Sequence, residues 1–172
     1  MSNRTFYALV AVLLTASVAF WYFMFATPSP TSTDLHTAEI VTYDETEEIT
    51  LTMYHAEGCD CCVKWADYLE DNGFIVDKKL VDDPHVQKEE HGIPPRLRSC
   101  HTGIVNGYIA EGHVHAEDIR RMLAEQPDAV GISAPGMPPN SPGMDLPVDR
   151  EYQIILFDDA GNAAVYATHG GR

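Results

Sequence analysis

Three of the four cysteines in this 172-residue chain fall within four positions, in Gly58-Cys59-Asp60-Cys61-Cys62. Thiolates do two kinds of chemistry: they bind soft metal ions and they attack disulfides. Cys59 and Cys62 alone form a C-x-x-C pair, the pattern of a thiol–disulfide oxidoreductase with Cys59 attacking and Cys62 resolving. Cys61 counts against that reading, because an extra adjacent thiol invites scrambling. It favours a metal site. The further soft or borderline donors are Cys100, His113 in Gly112-His113-Val114, and the thioethers of Met137 and Met144 in two Pro-Gly-Met triplets. Thiolate and thioether select Cu(I) over hard cations, and imidazole serves either copper oxidation state. The predicted metal set is therefore Cys59, Cys61, Cys62, Cys100, His113, Met137 and Met144. Each has a plainer alternative: Cys100 as a core thiol, the methionines as loop packing, His101 as ligand or core residue, and His55 as an outer neighbour. His85, His91 and His169 read as surface residues. Four cysteines can also hold zinc or an iron–sulfur cluster, but the spacing lacks paired C-x-x-C knuckles, and export as an unfolded chain disfavours a cluster.

These residues need elements to position them. Ile49, Leu51 and Met53 alternate with Thr50, Thr52 and Tyr54, a strand pattern that runs into the cysteines. After them Cys62, Trp65, Ala66 and Leu69 repeat at helical spacing, so the thiols sit on the first turn of a helix, where unpaired N–H groups favour thiolate. Asn72-Gly73 stops that helix, and 74–80 reads as a strand parallel to the first. A short helix over 84–91 follows, then a hairpin about Asn106-Gly107 and a helix over 116–125 with Ile119, Met122 and Leu123 inward and a Glu117–Arg121 pair. Residues 127–147 read as a Pro- and Gly-rich loop, and 152–157 with 163–168 as a second hairpin. The order β-α-β, short helix, β-hairpin, helix is that of an α/β thioredoxin-like fold, here with an additional C-terminal hairpin.

The formal charge is −15, and Arg4 is the only charged residue before Asp34, so the acidic excess lies beyond the apolar leader. Such a surface excludes nucleic acid as a partner. No phosphate loop, Ser-His-Asp order or catalytic carboxylate pair appears. Phe6 to Ala26 is uncharged and long enough to cross a bilayer, and it ends in the aromatic group Trp21, Tyr22, Phe23 and Phe25. Residues 1–27 are therefore expected to be a retained membrane anchor, with a cleaved signal peptide as the alternative. Residues 28–48 are an acidic flexible linker, and 49–172 the folded domain. The cysteines then work outside the cytoplasm, in the periplasm, tethered to the inner membrane.

Gly58-Cys-Asp-Cys-Cys-Val-Lys-Trp65, Ser99-Cys-His-Thr102, Gly107-Tyr108, Glu111-Gly-His-Val114 and Pro135-Gly-Met-Pro-Pro-Asn-Ser-Pro-Gly-Met144 together resemble the CopG-type copper-resistance proteins. These are exported bacterial proteins with a predicted metal-binding domain of unknown function. The resemblance spans roughly 49–168. It implies a thioredoxin-like fold, several copper ions held by the cysteines, a role in copper tolerance with copper redox chemistry as a further expectation, and other extracytoplasmic copper-handling proteins as partners. Asp60 stands where that family suggests Gly, and His115 where it suggests Pro. Asp60 places negative charge beside the thiols, and His115 is either an extra ligand or a solvent-facing neighbour of a helix cap.

Overall fold

The structure is a computed structural model that describes residues 48–171. The expected anchor, and all of the expected linker but its last residue, lie outside the described residues. Among the described residues no helix is long and apolar enough to cross a membrane.

The chain alternates strands and helices: β1 (Ile49–His55), α1 (Asp60–Asp71), β2 (Phe74–Leu80), α2 (Pro84–Glu90), a 3-10 turn (Pro95–Leu97), β3 (Thr102–Val105), β4 (Tyr108–Glu111), α3 (Ala116–Glu125), β5 (Gly131–Ser133), β6 (Tyr152–Phe157) and β7 (Ala163–His169). All the strands join one mixed sheet in the order β2-β1-β3-β4-β5-β6-β7. β1 and β2 are parallel, with Leu51 opposite Val76, as expected of a β-α-β unit. The helical repeat read in the sequence is the buried face of α1: Cys62, Trp65, Ala66 and Leu69 are all enclosed. They pack with Leu51 and Met53 of β1 and with Ile119 and Met122 of α3 in one core.

Local chemistry sets the boundaries. α1 ends at Asn72, and Gly73 takes the left-handed conformation (φ +80°) that a Cβ disfavours. The β3–β4 turn places Asn106 at φ +47° and Gly107 at φ +84°, the paired positive angles of a two-residue hairpin turn. α2 starts on Asp83, whose side chain accepts from the His85 N–H, with Pro84 at the first helical position.

Two expectations need correction. The region 127–147 is not wholly loop, because β5 lies within it, parallel to β4 and antiparallel to β6, and so joins the C-terminal hairpin to the rest of the sheet. Gly131 permits this pairing, since a Cβ there would collide with the Ile109 backbone. The Glu117–Arg121 pair is also replaced. Arg121 reaches Glu125 at 3.3 Å, while Glu117 faces His169 at 3.9 Å.

Candidate metal centre

The cysteines meet where β1 hands over to α1. Gly58 turns the chain at φ +75°, Cys59 caps α1, and its carbonyl accepts from the N–H groups of Cys62 and Val63 at 3.1 and 3.2 Å. Cys59 and Cys62 are joined as a disulfide across a Cα separation of 5.3 Å, and Cys61 Sγ lies 3.6 Å from Cys59 Sγ. Cys100 arrives from the start of β3. One atom from each of Cys59, Cys61, Cys62 and Cys100 lies within 4.8 Å of the others. Two electrons and two protons convert the disulfide into the form with four thiols, and only that form offers four thiolates to a metal.

Cys100 is the junction between sulfur and nitrogen. Its Sγ is 3.1 Å from His113 Nε2 and 3.3 Å from His101 Nδ1, and the three residues form a second potential metal-holding group. His113 Nδ1 donates to the Pro142 carbonyl at 2.7 Å, because a carbonyl can only accept. That bond leaves the Nε2 lone pair aimed at the Cys100 sulfur, the arrangement by which an outer acceptor orients a metal-binding imidazole. Burial holds both His113 and His101 below the ordinary histidine range, so both favour the neutral imidazole. Burial first, and then the Cys61 sulfur, push the Cys100 thiol up to about 12. Cys100 therefore favours the protonated thiol.

The scaffold behind Cys100 is a buried ion pair. Lys88 and Glu111 are enclosed, with Nζ 2.7 Å from Oε1. The same Oε1 accepts from the Ser99 N–H at 2.6 Å, Oε2 accepts from the Thr102 hydroxyl at 2.7 Å, and Lys88 also donates to Thr102 at 3.0 Å. Glu111 thus holds the Ser99 backbone on one side of Cys100 and His101 and the Thr102 side chain on the other. Gly112 supports the same packing, since a Cβ there would lie 2.5 Å from the Ser99 Cβ. The indole of Trp65 packs on His101 at a 39° tilt (4.3 Å between centroids) and donates to the Val114 carbonyl at 2.8 Å, tying α1 to the 112–114 segment.

Both Pro-Gly-Met triplets border this site. The Gly136 N–H donates to Arg98, and its carbonyl accepts from the Ser99 hydroxyl. Gly143 lies against α1, where a Cβ would come within 2.6 Å of Trp65 N. Met144, beside it, is half-buried, whereas Met137 is 55% exposed. If the thioethers close over a metal, Met137→Leu with Met144→Leu should keep the fold, because volume is conserved. Cu(I) affinity should then fall by about tenfold or more, roughly 1.4 kcal/mol. An unchanged affinity against a competing chelator would make both residues loop packing.

Of the remaining histidines, His85 is exposed, while His55 is half-buried with Nδ1 on the Ala56 carbonyl at 3.0 Å. His101 is fully enclosed at the site, a placement its sequence position left open. His169 is not the surface residue expected: it is half-buried and stacks on His115, with centroids 3.8 Å apart. Burial first, and then the His169 ring, hold His115 down at about 4. Local sequence carries no signal for this contact, which joins the residue before α3 to the end of β7.

Comparison with known proteins gives three findings. The family described as "Protein of unknown function, DUF411" matches residues 97–144. Solved structures of copper resistance protein CopG, form 1 and form 2, are each 37% identical to the chain with a TM-score of 0.69, covering 73% and 72% of it and 100% and 99% of their own lengths. No curated protein sequence matches the chain.

Proposed function

Because the chain belongs to the CopG-type copper-resistance family, we propose that it binds copper outside the cytoplasm and serves copper tolerance, holding Cu(I) in a cluster of cysteine thiolates. The observation that carries this reading is the convergence of all four cysteines within 4.8 Å, with a neutral imidazole of fixed tautomer on Cys100. Soft sulfur selects Cu(I), and His113 can serve copper in either oxidation state, which supports interconversion of Cu(I) and Cu(II). The element order β1-α1-β2-α2-β3-β4-α3 supports a thioredoxin-like reading of the domain, with β5, β6 and β7 as an addition.

More than one ion fits this donor set. Four thiolates within 4.8 Å of one another would crowd four negative charges around a single monovalent ion. A thiolate can bridge two ions, and bridging spreads the negative charge over several cations. Anaerobic Cu(I) titration of the reduced chain against a coloured chelator should saturate at about two equivalents or more. Cys61→Ser should lower that number. Saturation at one equivalent with Cys61→Ser silent sinks the cluster.

The Cys59–Cys62 disulfide at the start of α1 favours one second reading, a thiol–disulfide oxidoreductase acting on other proteins. Sustained reduction of insulin with a thiol donor, unaffected by copper, would establish it in place of the copper site. For localisation, the length and aromatic end of residues 6–26 support a tether to the inner membrane. The mature protein should sediment with membranes and resist extraction by salt. A mature N-terminus beyond residue 26 would show a cleaved signal instead.

A further inference from the structure

Away from the sulfur cluster, a second group of donors gathers between the start of α3 and the end of β7. His115 is the residue before α3, Glu117 lies in its first turn, and His169 ends β7. One atom from each lies within 4.8 Å of the others. The two rings are 14° from parallel. We propose that His115, His169 and Glu117 form a second metal site, which takes a divalent first-row ion of the zinc and copper(II) class.

The remote ring nitrogens support this assignment. His169 Nε2 donates to the Asp118 carboxylate at 2.7 Å, and His115 Nε2 lies 2.5 Å from the Tyr152 hydroxyl. Each Nε2 is thereby occupied, and each Nδ1 is left to face an ion. Carboxylate and hydroxyl partners on the far nitrogen are the outer contacts by which metal-binding imidazoles are oriented. His169 Nδ1 already faces Glu117 at 3.9 Å, a spacing that an ion between them could bridge. Stacked rings do not share an ion in one plane, so loading the site needs the His115 ring to shift against Tyr152 while Asp118 keeps His169 in place. Room exists for this movement: His115, Glu117, Asn140, Asp149, Tyr152, His169 and Gly170 line a cavity of about 420 Å³. The Asn140 amide oxygen is enclosed and, among the described residues, has no hydrogen-bond partner. A metal-bound water in the cavity would supply one.

The donor set also separates this site from the thiolates. Two imidazoles and a carboxylate suit a divalent borderline ion and offer nothing soft to retain Cu(I). His115 stands where the CopG-type pattern suggests Pro, so the site belongs to this chain's own sequence rather than to that pattern.

The test is a titration of the full chain with Zn(II), followed by the imidazole nitrogen resonances of each histidine, with Mg(II) as control. His115 and His169 should shift together and saturate, Mg(II) should leave them unmoved, and His101 and His113 report separately on the sulfur site. His169→Gln, on an edge strand, should weaken the His115 response by about hundredfold or more, and Glu117→Gln by about tenfold. Unmoved His115 and His169 resonances in a protein whose amide spectrum is intact overturn the site. So does a wild-type His115 response in folded His169→Gln. Either outcome leaves the copper reading of the cysteines standing, because that reading is tested by Cu(I) stoichiometry.

Discussion

Lys88→Met should cost about 3–5 kcal/mol of unfolding free energy, the loss expected when one member of a buried ion pair is removed and the other stays charged. Lys88 is enclosed, and Glu111 beside it holds the Ser99 N–H and the Thr102 hydroxyl as well as the ammonium. The double change Lys88→Met with Glu111→Leu removes the stranded carboxylate and should recover most of that stability. It should not recover Cu(I) affinity, because the Ser99 N–H then loses the acceptor that fixes Cys100. Urea unfolding of the three proteins, paired with Cu(I) competition, separates the two effects. A loss of about 1 kcal/mol or less for Lys88→Met would mark the pair as solvated and discard its positioning role.

The second large effect belongs to Cys100. It is the residue common to the sulfur group and the imidazole group, with His113 Nε2 at 3.1 Å on one side and the Cys59–Cys61–Cys62 turn on the other. Cys100→Ser nearly conserves volume but replaces a soft donor with a hard one. Cu(I) affinity should fall by about a hundredfold or more, roughly 2.7 kcal/mol. The fold should survive, as judged by the same urea midpoint. Unchanged affinity and stoichiometry would reduce Cys100 to a buried core thiol.

Periodic elements are legible in this sequence because their signal is local. The alternation at 49–54, the helical repeat from Cys62 to Leu69, and Asn106-Gly107 each carry their structure within a few residues, and β1, α1 and the β3–β4 hairpin follow. β5 is not legible, since three residues give no period, and its pairing rests on the close approach of Gly131 to Ile109. Lys88 sits in Gln87-Lys88-Glu89-Glu90, which reads as a solvated helix face. Only its contact with Glu111, on another element, makes it an interior charge. The candidate site divides in the same way. The thiols at 59–62 declare themselves by spacing, whereas His101 against Trp65 and His169 against His115 exist only once distant segments pack.

The place of β5 beside β6 has a consequence for the thioethers. The segment between these two strands leaves the sheet and returns to an adjacent strand, where Ser133 pairs with Ile155 one strand spacing away, roughly 4.8 Å. It is anchored at both ends, by the Ser133–Ile155 pairing, and is not a tail. The entropy of bringing its ends together, which grows as about (3/2)RT ln n, is already met by folding of the sheet. If Met137 and Met144 close over an ion, ordering them would cost only local rotamer and backbone freedom. A cut in this loop, or its transfer to a chain terminus, would restore the lost entropy and weaken metal capture without altering a single ligand.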